Sequence, residues 1–312
     1  MHFLIAIFLF FFSQSVGLCQ QFDKSDSFFV YGDIKITVER QTNAGNFRNT
    51  RIIFFALPNG NTTAMTMGKK MQPSDDWHYD IQHIKAQTAF IRQIDPHTEY
   101  VVYYLENSLK SWPAWKSRHP EYKKIFAALV DSVFVNYPAK RKSVHLNGHS
   151  GGGSFIFGFL DGVKKIPAYV KRISFLESDY GYGSSYFSKF KNWLHEVKNA
   201  SLNVFAYNDS IALYNGKRIV SDTGGTWVRS HLFLKDLKAD FKFHQSATDS
   251  ILMYKGYHQR IQFFFKPNYN KGIYHTQQVE MNGFIHSVFC GTRFDSKGYQ
   301  YYGSRAYSRF IE

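Results

Sequence analysis

Residues 143–154, SVHLNGHSGGGS, set a serine where it can be made reactive: an apolar run stops abruptly at Gly148-His149-Ser150-Gly151-Gly152. The pentapeptide is G-x-S-x-G, the pattern of a sharp strand-to-helix turn that exposes a hydroxyl while its glycines let neighbouring backbones pass close by. A serine hydroxyl is almost wholly un-ionised at neutral pH, so attack on a carbonyl needs an imidazole to take its proton. An acid must then hold that imidazole in the useful tautomer, and two backbone N–H groups must meet the oxygen of the tetrahedral intermediate. Other chemistries are poorly supplied. His78, Asp80 and His83 lie close together, yet a spacing of five residues puts the two histidines on different faces of a helix, unlike the four-residue spacing of zinc enzymes. The glycine run lacks the Lys-Ser/Thr ending of a phosphate-binding loop. No metal and no cofactor are expected.

The elements that must position Ser150 follow from the apolar pattern. Val144 and Leu146 supply a short strand before the turn, and Phe155, Ile156, Phe157, Phe159 and Leu160 a buried helix after it. Upstream, residues 28–38 alternate from Gly32 onward as a strand, with an edge hairpin plausible, and residues 43–49 form a polar turn. Residues 52–57, IIFFAL, are a continuous apolar run ended by Pro58-Asn59-Gly60-Asn61, the sign of a parallel strand buried on both faces. Ile81, Ile84, Thr88 and Ile91 recur at helical spacing within 77–94, residues 100–105 read as strand, and 119–135 as helix. Further strands are expected at 172–176, 202–207 and 261–266, with a helix around 186–197. Strands alternating with helices at this spacing specify an α/β fold, a mainly parallel central sheet with helices on both faces, whose ligands bind at the carboxyl ends of the strands. The excursion over 210–260 is too long for a simple crossover and is expected to form a cap or rim over the site.

Composition is that of a folded protein of 312 residues, with 44% hydrophobic and 20% charged positions. Ten consecutive apolar residues at 3–12, followed by small and polar ones, have the length of a signal-peptide core and are too short to span a bilayer. Residues 1–19 are therefore read as a signal peptide and 20–312 as one domain, exported to the periplasm or secreted, without stable membrane insertion. Bulky Leu18 before Cys19 argues against a lipid anchor. The only other cysteine is Cys290, which after cleavage beyond Cys19 leaves no internal disulfide. The formal charge of +14 is diffuse, with no short Lys/Arg block, so no nucleic-acid partner is expected. Oligomeric state is not legible.

With the elbow in a strand-helix-strand setting, a polar loop after the 52–57 strand and a histidine near the C-terminus, the chain resembles the α/β-hydrolase superfamily over residues 30–295, and within it exported bacterial hydrolases of the esterase type. The resemblance implies a triad running Ser, acid, His along the chain, with Ser150 as nucleophile. It implies His286, in NGFIHS twenty residues beyond the last strand, as the base; His275, in IYHTQQ, is the competitor, while His244 and His258 read as solvated or structural. Asp209, directly after the 202–207 strand, stands at the usual position of the acid, and Asp179 or Glu177, after the 172–176 strand, at the alternative one. For the oxyanion it implies the N–H of Gly151 and one from the loop after the 52–57 strand, Asn59 or Gly60, although this loop lacks the common His-Gly pair.

The expected activity is hydrolysis of an ester, on a small molecule or a glycan, through an acyl-Ser150 intermediate; peptide cleavage and a catalytically silent glycan- or envelope-binding protein are the alternatives. Trp112, Trp115, Tyr180, Tyr182 and Trp227 fall after strand ends, where they either line a cleft or pack the core. Arg229, beside Trp227, would suit a carboxylate or simply face solvent.

Overall fold

The computed structural model describes residues 26–41, 47–221 and 223–312. The expected signal peptide, most of the polar turn at 43–49 and Asp222 lie outside them. In chain order the strands are β1 Ser27–Val30, β2 Ile34–Glu39, β3 Asn49–Ala56, β4 Thr98–Asn107, β5 Lys142–His149, β6 Val170–Leu176, β7 Ser201–Tyr207, β8 Leu213–Tyr214, β9 Lys217–Arg218, β10 Phe243–Ala247, β11 Leu252–Gly256 and β12 Ile261–Lys266. The helices are α1 Thr63–Met67, α2 Ile84–Ile94, α3 Trp112–Arg118, α4 Tyr122–Asn136, α5 Gly153–Gly162, α6 Phe187–Glu196, α7 Gly225–Lys238, α8 Gln277–Glu280 and α9 Gly283–Phe289.

Ten strands form one sheet in the order β1-β2-β4-β3-β5-β6-β7-β12-β11-β10. The run from β4 to β12 is parallel throughout, and antiparallel pairs close both edges. This is the α/β-hydrolase architecture expected from the sequence, with the elbow serine between β5 and α5 near the middle of the sheet. The central strands carry apolar residues on both pleats, because helices cover both faces. On one face α3 to α7 bury Trp112, Trp115, Phe126, Phe155, Trp193 and Phe233; on the other, α2, α8 and α9 bury Ile84, Ile91, Val279, Phe284 and Ile285.

Two departures from the sequence reading have physical causes. The single helix expected over 77–94 is broken, with a short 3-10 turn at Trp77–Asp80 and then α2, because His83 takes a left-handed φ of 47° between them. From Ile84 the buried positions Ile84, Gln87, Thr88 and Ile91 make the stripe that periodicity requires. Gln87 joins the layers: its amide donates to the carbonyls of Gln82 and Val279, and its oxygen accepts from the Ile285 N–H. The stretch 210–260 is not all rim. Its first part forms the β8–β9 hairpin and bonds to the loop after β12 through the Leu213 N–H and the Lys271 carbonyl, α7 packs on the sheet, and β10 and β11 extend the sheet as an antiparallel edge. Trp112, Trp115 and Tyr182 are core residues, each at most 1% exposed, leaving Tyr180 and partly buried Trp227 of the five expected aromatics in contact with solvent.

The elbow is fixed by two close approaches. A Cβ on Gly152 would stand 2.1 Å from the Ala56 carbonyl oxygen of β3, and one on Gly153 would stand 1.6 Å from the Ser178 carbonyl oxygen after β6. Neither backbone can retreat without opening the central sheet, so any side chain there costs folding. Ser178 also donates its hydroxyl to the Gly148 carbonyl at 2.8 Å, tying the turn to the neighbouring strand.

Candidate active site

Ser150 follows directly on β5 and holds φ at 53° before the chain tightens into a 3-10 turn and enters α5. For a residue with a side chain that conformation costs about 1–2 kcal/mol, and it persists because the packed glycines around it determine the path. The strain turns the serine side chain out of the strand-helix join. Ser150 is half-buried, and its hydroxyl makes no hydrogen bond among the described residues.

The histidine brought to the elbow is His275, in the loop between β12 and α8. Its imidazole lies over that of His149, with ring centroids 4.8 Å apart, and its carbonyl accepts from His149 Nε2 at 3.3 Å. His275 Nδ1 faces Glu177 Oε2 at 3.0 Å. With Nδ1 donating to the carboxylate, Nε2 carries the lone pair, which is the tautomer a general base needs. Burial pulls the His275 imidazole down from its ordinary value to about 4, with the Asp209 carboxylate opposing that fall. The ring is therefore neutral at pH 7.

Glu177 is fully buried at the end of β6, with φ at 50°. Three donors converge on its carboxylate: the His275 ring, the Tyr207 N–H at 2.5 Å and the Thr226 hydroxyl at 2.9 Å. Burial, and then the nearby Asp209 carboxylate, push its proton affinity well up, while the Tyr207 and Thr226 bonds pull it back. Asp209 follows β7 as expected, but its oxygens are taken by the start of α7: Oδ2 accepts from the Thr226 N–H at 2.8 Å and Oδ1 from the Trp227 N–H at 3.2 Å. It caps a helix whose exposed N–H groups and dipole favour an anion there. Gly225, at φ +85°, lets the helix begin so close, since a Cβ on it would meet Asp209 Oδ2 at 2.4 Å. Asp209 reaches His275 only through its field. Asp179 is farther from the role, buried with Oδ2 accepting from the Ser230 hydroxyl at 2.7 Å.

His286 is not where the sequence reading put it. The expected Gly-containing loop is helix α9, because Asn282 turns left-handed at φ 63° and anchors its amide on the carbonyls of Gln300 and Ser304. The His286 ring is 4% exposed, stacked on Tyr301 at 4.9 Å and edge-on to Phe264 at 4.7 Å, with Nδ1 against the Tyr299 hydroxyl at 2.9 Å. Burial lowers it to about 3, so it is a neutral core histidine, and it contacts none of Glu177, Asp179 and Asp209.

Of the expected oxyanion donors, the Gly151 N–H opens the 3-10 turn and so has no acceptor within it. The Asn59 side chain lies over it: a Cβ on Gly151 would come within 2.0 Å of Asn59 Oδ1. The Gly60 N–H is spent on the Lys110 carbonyl at 2.8 Å, which removes Gly60 as a donor, whereas the Asn59 N–H bonds to no described backbone group. Arg229 donates to the Tyr182 carbonyl at 3.3 Å and braces the loop after β6.

No family model matches the chain, and no curated protein matches it. Among solved structures it is similar to an uncharacterised protein from Capnocytophaga ochracea, at 11% identity over 84% of this chain and 63% of that one, with a TM-score of 0.45. It is also similar to a thermostable esterase, at 11% identity over 85% of this chain and 60% of that one, TM-score 0.45. A third is poly(aspartic acid) hydrolase-1 from Sphingomonas sp. KT-1, at 13% identity over 86% of this chain and 99% of that one, TM-score 0.48. The chain spans less than two thirds of the length of the first two.

Proposed function

We propose that the protein is a serine hydrolase acting on an ester, with Ser150 as nucleophile, His275 as general base and Glu177 as the residue that orients the base. The observation that carries this reading is the 3.0 Å contact of His275 Nδ1 with the buried Glu177 carboxylate, made by a ring seated against the residue before the strained serine. In the forward step the Ser150 hydroxyl gives its proton to His275 Nε2 as Oγ bonds to the ester carbonyl carbon. The carbonyl oxygen becomes an oxyanion, met by the N–H groups of Gly151 and Asn59. As the tetrahedral adduct collapses, the alkoxide leaves with the proton held by His275 and the acyl group stays on Ser150; water then repeats the sequence and frees the acid. Glu177 stabilises the imidazolium in both halves, and His149 holds the backbone of His275 in place.

Labelling tests the assignment. A fluorophosphonate probe is expected to modify the protein once, at Ser150 by peptide mapping; no labelling, or labelling elsewhere, sinks the reading. A pH series tests the base. Only neutral His275 accepts a proton, and its affinity is lowered to about 4, so competence is present above that pH and lost as pH falls through it. For an activated aryl ester kcat/KM should stay level from neutral to about pH 5 and fall below, whereas an unperturbed imidazole would put the fall near 6.5. Far-UV circular dichroism over the same range separates this from acid unfolding.

A further inference from the structure

Phe29, Tyr31, Trp77 and Val135 are exposed elsewhere on the molecule, but most of the other large apolar side chains left exposed gather on two segments. Leu213, Tyr214 and Ile219 stand on the β8–β9 hairpin after β7, and Tyr269 and Ile273 on the loop after β12, with Tyr214 63% and Tyr269 84% exposed. The two segments are one piece. The Leu213 N–H donates to the Lys271 carbonyl at 3.0 Å, and the buried Asn268 amide bridges the carbonyls of Asn208 and Gly272 at 2.9 and 2.8 Å. The patch runs on to Tyr180, 40% exposed, whose ring is 6.4 Å from His275. A stitched apolar surface of this kind on one rim marks a binding face.

Its charge is one-sided. Lys217 and Lys271 are exposed within it, and among the described residues of 208–221 and 266–275 the only acid is Asp209, which is buried under α7. Aromatic and aliphatic side chains beside lysines, with no exposed carboxylate among those described residues, match a layer whose headgroups are anionic and whose interior is apolar. A protein partner would more often be met by mixed charge at the rim.

We propose that this platform docks peripherally on the surface of an anionic lipid layer, with Tyr214 and Tyr269 entering the headgroup region and Lys217 and Lys271 held by phosphate. Docking requires no turnover and stands apart from the assignment of Ser150. It would bring His275 close to the layer, since Ile273 is two residues from it.

Sedimentation with vesicles tests it, using the full chain in every arm so that the apolar N-terminal run is common to all. Partition onto phosphatidylglycerol vesicles should exceed that onto phosphatidylcholine vesicles. Tyr214→Ser with Tyr269→Ser is expected to lower it at least tenfold, and Lys217→Gln with Lys271→Gln about 25-fold, since each surface lysine is worth about fivefold. Circular dichroism of these exposed variants should match the parent. Equal partition of parent and both variants overturns the proposal, as does loss in the lysine variant alone, which would mark attraction without insertion. Absence of vesicle binding with self-association that the tyrosine variant abolishes overturns it in favour of a second copy. Fluorophosphonate labelling of the same variants reads the Ser150 assignment independently.

Discussion

Ser150→Ala should lower kcat on an activated ester by about 10⁶-fold, the loss found when the nucleophile of a serine triad is removed. The residual rate would come from oxyanion donors and binding alone. Truncation removes one half-buried hydroxyl that makes no hydrogen bond among the described residues, and alanine can share the left-handed turn at similar cost, so the melting temperature should move by no more than a few degrees. Stopped assays with a chromogenic ester, corrected for spontaneous hydrolysis, would measure it. A variant that keeps more than a hundredth of the parent rate would mean that another group is the nucleophile.

The second large effect separates two histidines. His275→Ala is expected to reduce kcat by about 10⁵-fold or more, because the base and the nucleophile act as one unit. His286→Phe should leave kcat within a few-fold of the parent, since phenylalanine can keep the stack on Tyr301 and gives up only the contact to Tyr299. The lost contact is expected to appear as reduced stability of about 1 kcal/mol, read by urea denaturation. If the two outcomes were exchanged, with His286→Phe inactive and His275→Ala active, the base would be His286 after all. Measuring both in one series makes the comparison independent of the substrate chosen.

The fold was legible because its signals are local. Apolar runs such as 52–57 and 261–266 are strands buried on both faces, and the G-x-S-x-G turn announces the close approaches that Gly152 and Gly153 make. The proposed acid and base are harder to read, for reasons of geometry. Asp209 and Glu177 each follow a strand, and nothing in the chain around them says which faces His275. That choice rests on the left-handed φ of Glu177 and on Asp209 being occupied by α7. A signal for the second point exists in Gly224-Gly225-Thr226, since a helix starting there without a capping side chain of its own must take its acceptor from elsewhere. Distance beyond the last strand points to His286, but that residue sits in a buried helix. The tyrosines at 299 and 301, which enclose it, come later in the chain and are recognisable as partners only once α9 is packed.

One hydroxyl hydrogen serves two carboxylates. Thr226 Oγ1 stands 2.9 Å from Glu177 Oε2 and 3.3 Å from Asp209 Oδ2, and it can donate to only one of them at a time. The first turn of α7 and the orientation of the His275 imidazole therefore draw on a single shared donor. A disturbance that rotates this threonine, even one arriving along α7 from the molecular edge, would be felt as a change in how firmly the His275 ring is aimed.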